Sequence, residues 1–295
     1  MKKILSFSAA FALAFAGVAC GASETPDDEG NVPDVIEDVA TDEGGMDDAT
    51  VADVAVDVPV VHPIDWDAWL NPTEGGFPDD GKKRVVILHT NDIHSHVNGT
   101  GPVLDYSPDT ILDDDTEGGL ARIASIIERQ KAFMNADTDM IIVDAGDFSF
   151  GTAFSFLAQD TGIELRMMDD MGYTATTIGN HELDWTPNGL AEVISHGLDG
   201  ASNLTVLSSN LVFSDESADD DALAALVGDK VKPYKVVTLS NGLKVGLFGL
   251  IGTGAIKLSP HSEPCTARAL KDAAEEMIDT LRNTEGVDLV VALSH

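Results

Sequence analysis

The chain has 295 residues, enough for one large domain or two small ones. Its 51 Asp and Glu residues outnumber its 17 Lys and Arg residues, which gives a formal net charge of -34 at pH 7. A field of this sign argues against a protein that binds nucleic acid polymers through their phosphates.

An export signal is predicted for residues 1–20. Lys2 and Lys3 precede an apolar stretch over residues 4–18 and small residues up to Cys20, and the apolar stretch is short for a bilayer crossing. The sequence Gly-Val-Ala-Cys at 17–20 resembles the cleavage box of bacterial lipoproteins. That resemblance implies a lipid on Cys20 that anchors the protein to the cell envelope, facing the periplasm or the cell surface. The alternative is an ordinary secretory signal with a free cysteine beyond the cut.

Residues 21–81 are predicted to form an acidic, disordered tether. No Lys or Arg occurs between residues 21 and 80, whereas Asp and Glu recur throughout. A segment of one charge sign with few aromatic residues cannot bury enough apolar surface to offset its ordering entropy. Calcium binding by the acidic run is the alternative, although the carboxylates lack the glycine-marked spacing of a calcium loop.

Residues 82–295 alternate between strand and helix patterns, which predicts a layered α/β domain. Strands are predicted at 85–90, 140–143, 174–178, 205–208 and 287–293, and helices at 119–136, 162–171 and 266–282. Residues 234–239 and 244–250 predict a hairpin across Asn241-Gly242. The methionines of 162–171 are expected to fill the core, and residues 214–221 to form a solvated loop.

Three of the predicted strands end abruptly in metal-binding and acid/base residues. Loops at strand ends are where an α/β scaffold holds its reactive groups, and these loops offer carboxylate, amide and imidazole ligands. The sequence therefore predicts a metal site. Its candidate residues are Asp92 and His94 after the first strand, Asp147 after the second, and Asn180, His181 and Asp184 after the third.

Local spacing gives these residues geometric expectations. Asp92 and His94 are two residues apart, so an extended backbone would direct both side chains at one ion. Gly146 allows a tight turn that brings the Asp147 carboxylate close to the site. Asp184 follows His181 by three residues, close enough to hold the imidazole as a proton-bearing cation. Taken singly, a turn-forming or helix-capping Asp and a surface His remain the alternatives.

Together the blocks resemble the calcineurin-like metallophosphoesterases, and among them the bacterial 5'-nucleotidase and 2',3'-cyclic-nucleotide phosphodiesterase family. The resemblance covers roughly residues 84–295 through Asp-x-His, Gly-Asp, Gly-Asn-His-Glu-Leu-Asp and the final Ala-Leu-Ser-His. It implies a four-layer α/β sandwich in which helices flank two mixed sheets. The family continues beyond the position of His295 with a further metal-binding block and a nucleoside-binding domain, so we expect this chain to be an incomplete copy.

The resemblance also implies roles for the candidate residues. Two divalent cations of the zinc, manganese or iron type would activate a water for attack on a small-molecule nucleotide or other phosphate ester. Bound dications would set the local potential for such an anion, whatever the global charge. The implied metal ligands are Asp92, His94, Asp147, Asn180 and His295, and the implied catalytic pair is His181 and Asp184.

Other functions remain open at this stage. They are a 2',3'-cyclic-nucleotide phosphodiesterase, a sulfur-oxidation hydrolase of the same superfamily, and a noncatalytic surface lipoprotein that binds metal or a partner. Cys265 is either a partly buried lone thiol or the partner of a cysteine in a segment absent here. The remaining histidines have lesser roles: surface positions for His62, His196 and His261, and support of the ligands from behind for His89 and His96.

Overall fold

The computed structural model describes Phe77, residues 81–99 and residues 117–295. The predicted signal at 1–20, nearly all of the predicted tether at 21–81, and Cys20 and His62 lie outside these residues. None of the helices in the described ranges combines the length and apolarity that a bilayer crossing requires.

The described ranges alternate strands with helices, as predicted. The strands are β1 (Arg84–Thr90), β2 (Thr138–Asp144), β3 (Thr176–Thr177), β4 (Val206–Leu207), β5 (Leu211–Val212), β6 (Val231–Lys232), β7 (Tyr234–Thr238), β8 (Lys244–Leu250), β9 (Thr266–Ala267) and β10 (Leu289–Ser294). The α-helices are α1 (Leu120–Lys131), α2 (Ala158–Thr161), α3 (Ile163–Met171), α4 (Thr186–Gly197), α5 (Asp221–Ala224) and α6 (Leu270–Asp279). Short 3₁₀ segments lie at Ala153–Leu157, His181–Trp185 and Ala255–Leu258, and a π turn at Thr280–Thr284 follows α6.

The first sheet is parallel in all of its described pairs. β1 pairs with β2, and β3, β4 and β6 pair in that order. A parallel bridge between Val143 and Ala175 joins the two groups, supported by the hydrogen bond from the Asp144 N–H to the Ala175 carbonyl. The strand order is therefore β1-β2-β3-β4-β6.

The second sheet is mixed. β10 pairs with β8 in parallel, and β7 pairs with β8 in antiparallel orientation. The turn between β7 and β8 contains Asn241-Gly242, where Gly242 has a φ of 82° and the Asn241 side-chain oxygen accepts the Leu243 N–H. The antiparallel pairing of β7 with β8 confirms the predicted hairpin. Gly242 supplies the positive φ that its turn requires.

Alternation along the strands divides the core into three apolar layers. Val86, Leu88 and Ile142 pack against α1, α3 and α4 on one face of the first sheet. Ile141 and Val143 point to the other face and pack against Val245, Leu247 and Leu293 of the second sheet. Phe248 and Leu250 point outward onto Ala273 and Met277 of α6. Helices, sheet, sheet and helix thus form the four layers that the resemblance implies.

The structure differs from the predicted secondary structure in three details. The segment 266–282 is not one helix, because Thr266–Ala267 pairs with β5 and α6 begins only at Leu270. Helix α4 had no predicted counterpart. Residues 214–221 are not wholly solvated, since the Asp220 carboxylate is fully buried and accepts the Ser214 N–H.

The parallel arrangement gathers the ends of four strands at one edge. β1 leads into Asp92, β2 into Asp147, the segment after β3 into Asn180, and β10 into His295. The His295 carbonyl accepts the Gly252 N–H at 2.7 Å, which fixes this end of β10 beside the end of β8. Ligands in open α/β sheets lie at this carboxyl edge.

Asp144 is buried at that edge and ends β2. Its carboxylate accepts hydrogen bonds from the hydroxyls of Thr90 (2.7 Å) and Thr176 (2.8 Å) and from the Gly146 N–H (3.0 Å). Burial outweighs these hydrogen bonds and raises the pKa of Asp144 to about 6. Its ionised form therefore opposes folding.

Replacing Asp144 with Asn should change how the free energy of unfolding depends on pH. Because the folded pKa lies above the unfolded value of about 3.9, the stability that the proton contributes is full below about pH 4 and lost as pH rises through about 6. Asp144→Asn should therefore gain up to about 3 kcal/mol over wild type between pH 4 and pH 7. Urea unfolding of both proteins across this range measures the difference, and a difference that stays constant with pH would contradict the prediction.

Candidate metal centre

Five side chains predicted to bind metal converge at the shared strand edge. One ligand atom each from Asp92, Asp147 and His295 lies within 4.8 Å of the others. His295 Nε2 is 3.1 Å from Asp147 Oδ2 and 3.2 Å from Asn180 Oδ1. His94 Nε2 is 3.7 Å from Asp92 Oδ1 and 3.8 Å from Asp147 Oδ2. Asp147, with 2% exposure, stands at the centre of the group.

Both imidazoles are oriented by main-chain carbonyls. His94 Nδ1 lies 3.2 Å from the Phe150 carbonyl oxygen, and His295 Nδ1 lies 3.1 Å from that of Ala145. A carbonyl only accepts hydrogen bonds, so each Nδ1 carries a proton and each Nε2 faces the carboxylates. This is the outer support that metal-binding histidines usually have.

The electrostatics of the cluster favour a positive charge at its centre. Burial alone would lower the pKa of His295, but the hydrogen bond and charge of Asp147 outweigh it and raise the pKa to about 9. Burial alone would raise the pKa of Asp147, and His295 reverses this shift so that the pKa is lowered. A bound cation would take the place of the imidazolium proton, since a ligand imidazole must be neutral.

The loop that holds Asp92 and His94 is not extended, so the geometric reason expected for their convergence was wrong. Asp92, His94 and Ser95 have φ values of 53°, 47° and 53°, in the left-handed region. Their N–H groups instead donate to the carbonyl oxygens of Gly146, Asp147 and Phe148, each at 3.0 Å. The loop after β1 is therefore aligned by the loop after β2. Each of its three left-handed residues raises the free energy of the folded state by about 1 kcal/mol or more.

Glycines allow the second and third loops to touch. Gly146 has a φ of 96°, as a tight turn before Asp147 requires. A Cβ atom on Gly179 would lie 2.1 Å from Asp147 Oδ1 and 2.5 Å from the Asp147 main-chain nitrogen. Any side chain at Gly179 would therefore displace the central carboxylate.

Glu182 connects these loops and was given no role in the sequence analysis. Its fully buried carboxylate accepts the N–H groups of Asp147 (2.9 Å), Ser149 (3.0 Å) and Gly179 (2.8 Å). Burial and the negative charge of Asp147 raise the pKa of Glu182 to about 8, against those hydrogen bonds. A Glu beside a His ordinarily indicates a surface position, so the residue itself gave no sign of burial. The signal that could have identified it was its place inside the Gly-Asn-His-Glu block.

His181 and Asp184 form the predicted pair. His181 Nδ1 lies 2.6 Å from Asp184 Oδ2, and Asp184 Oδ1 accepts the Ser259 hydroxyl at 2.8 Å. The side chain of Asp184 is 6% exposed and that of His181 is 41% exposed. The His181 and His94 rings meet edge to face, with centroids 5.1 Å apart. An oriented imidazole thus lies between the carboxylate cluster and solvent.

One aromatic side chain lies beside His181, and a second packs against the first. The Phe150 ring lies nearly parallel to the His181 ring, at 12° and 6.3 Å between centroids, and contacts Trp185 edge to face at 5.1 Å. Phe150 is 39% exposed and has a φ of 67°. A partly exposed aromatic ring therefore lies beside the imidazole.

The structure also shows where the other histidines of the described ranges and Cys265 lie. His196 and His261 are exposed, as predicted, and Cys265 is a buried free thiol whose sulfur lies 3.6 Å from Asp220 Oδ2. His89 borders an apolar cavity beside α1 rather than the candidate ligands, and His96 Nδ1 lies 3.1 Å from the Ile93 carbonyl oxygen. Neither histidine contacts a candidate ligand through a hydrogen bond found among the described residues.

The chain is similar to known proteins. The family model described as calcineurin-like phosphoesterase matches residues 85–295. A snake venom 5'-nucleotidase of Gloydius brevicauda is 31% identical over 220 residues, which are 73% of this chain and 33% of that protein. The trifunctional nucleotide phosphoesterase protein YfkN of Bacillus subtilis is 26% identical over 253 residues, 80% of this chain and 15% of that protein.

A solved structure agrees with the fold. The crystal structure of a 5'-nucleotidase precursor from Thermus thermophilus matches with a TM-score of 0.55 and 28% identity, over 71% of this chain and 36% of that one. The chain thus spans about a third of the length of the 5'-nucleotidases it matches. The matched model covers most of the sequence and all of the candidate site, and the chain therefore belongs to the calcineurin-like phosphoesterase family.

Proposed function

We propose that residues 82–295 form the metal domain of a hydrolase that cleaves the phosphate ester of 5'-nucleotides. The family uses divalent metal ions, and Asp92, Asp147 and His295 make a group that could hold one. The observation that carries the proposal is the convergence of carboxylate oxygens and two Nε2 atoms beside the His181–Asp184 pair. Several relatives named 5'-nucleotidase support the substrate class.

The donor set fits two divalent cations. Carboxylate, amide and imidazole ligands suit zinc, manganese or iron, and Asp147, at the centre of the group, has two oxygens with which to bridge a pair. In the proposal the ligands are Asp92, His94, Asp147, Asn180 and His295. When bound, the cations would supply a water of lowered pKa and a positive clamp for the phosphoryl oxygens.

His181 has the proposed task of handling the leaving oxygen. Asp184 holds Nδ1 at 2.6 Å, so the exposed Nε2 can present a proton to the substrate. Ser259 fixes Asp184 from behind, which keeps the ring in one orientation. Charge stabilisation and proton donation of this kind contribute roughly 100-fold or more to the rate.

Export and membrane attachment complete the proposal. Residues 1–20 would direct secretion, a lipid on Cys20 would anchor the protein to the cell envelope, and residues 21–81 would tether the domain. Similarity to 5'-nucleotidases of snake venom supports an extracytoplasmic setting. The alternatives are a 2',3'-cyclic-nucleotide phosphodiesterase or another ester hydrolase of the superfamily, and a noncatalytic lipoprotein. The relative named trifunctional nucleotide phosphoesterase supports a range of nucleotide esters as substrates.

Hydrolysis of three esters tests the function: 5'-AMP and 4-nitrophenyl phosphate followed by the phosphate they release, and 2',3'-cyclic AMP followed by the adenosine monophosphate that ring opening produces. The full-length protein with added Mn²⁺ or Zn²⁺ should hydrolyse 5'-AMP fastest and lose activity with a chelator. Preference for the cyclic nucleotide would support the alternative phosphodiesterase. Absence of turnover with every metal and ester would contradict the enzyme proposal and favour the noncatalytic binder.

Replacing His181 with Ala should lower kcat without releasing metal. The imidazole is placed to assist the leaving group, and it is absent from the proposed ligands, so we expect a loss of roughly 100-fold in kcat. Steady-state kinetics and metal analysis of the same preparations measure the two effects. A variant that loses its metal along with turnover would assign His181 to the ligands instead.

Replacing Gly179 with Ala should weaken metal binding. The new Cβ would lie 2.1 Å from Asp147 Oδ1 and would force the central carboxylate to move. We expect Mn²⁺ affinity to fall by roughly tenfold or more, as misplacing a supporting group usually causes. Gly254→Ala is the matched control, because a Cβ there meets nothing within 4 Å and the φ of −81° suits alanine. Equal affinities of the two variants would contradict the role of Gly179.

A further inference from the structure

A second buried carboxylate lies behind the candidate metal centre. Glu164 is in the first turn of α3 and only 2% exposed, yet within the part of the chain that the structure describes it has no side-chain hydrogen bond to a candidate ligand. Its Oε1 accepts the Ser95 hydroxyl at 2.7 Å, and its Oε2 has no hydrogen-bond partner among the described residues. Burial of a half-satisfied carboxylate opposes folding, so an apolar residue would stabilise this position better.

The hydrogen bonds leading from Glu164 reach both loops that orient His94. Ser95 follows His94 directly and is fully buried with a φ of 53°. Its hydroxyl also accepts a hydrogen bond from Ser155 at 3.1 Å, and the Ser155 hydroxyl in turn accepts the Gly151 N–H at 3.0 Å. Gly151 follows Phe150, whose carbonyl fixes His94 Nδ1.

Two further contacts join these loops. The Thr152 hydroxyl donates to the Ser95 carbonyl at 2.6 Å, and the Ser95 N–H donates to the Phe148 carbonyl at 3.0 Å. The Ser95 side chain, by contrast, has only Glu164 and Ser155 as partners among the hydrogen bonds found in the described residues. Removing Glu164 would therefore release the hydroxyl that ties the His94 loop to α3.

We propose that Glu164 is a positioning residue for the metal centre. Through Ser95 and Ser155 it holds the His94 loop against the Phe150 loop, so that His94 Nδ1 stays on the Phe150 carbonyl and Nε2 faces Asp92 and Asp147. The inference rests on the proposed metal-dependent function. It adds to that function a residue of helix α3, which lies outside every sequence block that resembles the family.

Replacing Glu164 with Leu and with Gln tests this role. Leu removes the acceptor and keeps much of the volume, whereas Gln retains an oxygen for Ser95. In the full-length protein, Glu164→Leu should lower Mn²⁺ affinity about tenfold, the low end of the effect of losing a direct partner of a ligand, because Glu164 acts on His94 only through Ser95 and Ser155. Glu164→Gln should stay within about threefold of wild type. The melting temperature of metal-free Glu164→Leu should equal or exceed that of wild type, because an unpaired buried oxygen has been removed.

A spectroscopic measurement separates positioning from general stability. Nitrogen-15 NMR of the metal-free protein should show His94 in one tautomer, with the proton on Nδ1, in wild type and Glu164→Gln, and a mixture of tautomers in Glu164→Leu. Ser95→Ala should reproduce the effect, and combining it with Glu164→Leu should add little, because both changes remove the same Ser95–Glu164 hydrogen bond. Ser95→Ala also keeps the test valid if Glu164→Leu fails to fold.

The outcomes distinguish this inference from the proposed function. A wild-type protein that binds Mn²⁺ and hydrolyses 5'-AMP, combined with Glu164→Leu and Ser95→Ala variants that keep its affinity and a single His94 tautomer, overturns the role of Glu164 alone. A wild-type protein that binds no Mn²⁺ overturns the metal centre, and the role of Glu164 with it. Weaker binding in both variants together with retained binding in Glu164→Gln supports the role.

Discussion

The site depends on several carboxyl groups being held close together at one edge of the sheets. The Glu182 carboxyl accepts the Asp147 main-chain N–H, and one ligand atom each of Asp92, Asp147 and His295 lies within 4.8 Å of the others. Two further main-chain N–H groups donate to Glu182, while the Asp147 carboxylate accepts the His181 N–H and faces two imidazoles. Because the loops hold Asp92 and Asp147 near each other, a bound cation would offset the repulsion between their charges.

The loops tolerate this arrangement because each is fixed by its neighbour. The loop after β1 takes its conformation from the carbonyl groups after β2, and that second loop contacts Gly179 without any intervening side chain. Left-handed φ values at Asp92, His94, Ser95 and Asp147 are maintained only while these contacts persist. The strained conformations therefore follow from the four-layer packing that brings the strand ends to one edge.

Much of this could be predicted from the sequence, since it follows from local patterns. Apolar runs that end in Asp, His or Asn identified the strand ends, and Asn241-Gly242 identified the hairpin. The four-layer arrangement and the individual ligands came from the order of the blocks, because periodicity alone does not say which strand ends meet. His295 illustrates this: it lies beside Asn180 because β10 pairs with β8 and the second sheet packs face to face on the first.

What the sequence could not predict depends on contacts between distant segments. Glu164 and Glu182 look like ordinary surface acids along the chain, and their burial becomes visible only when the loops close over them. The spacing of Asp92 and His94 suggested an extended strand, whereas hydrogen bonds to another loop impose the left-handed conformation. The Thr266–Ala267 strand likewise exists only because β5 lies beside it.

Anomalous X-ray diffraction from crystals grown with Mn²⁺ would locate the ions independently of any activity. We expect Mn²⁺ peaks within bonding distance of Asp92, His94, Asp147, Asn180 and His295, with Asp147 contacting more than one ion and His181 bound to none. Peaks only at surface carboxylates elsewhere, or no ordered Mn²⁺ near Asp147 at saturating concentration, would contradict this expectation.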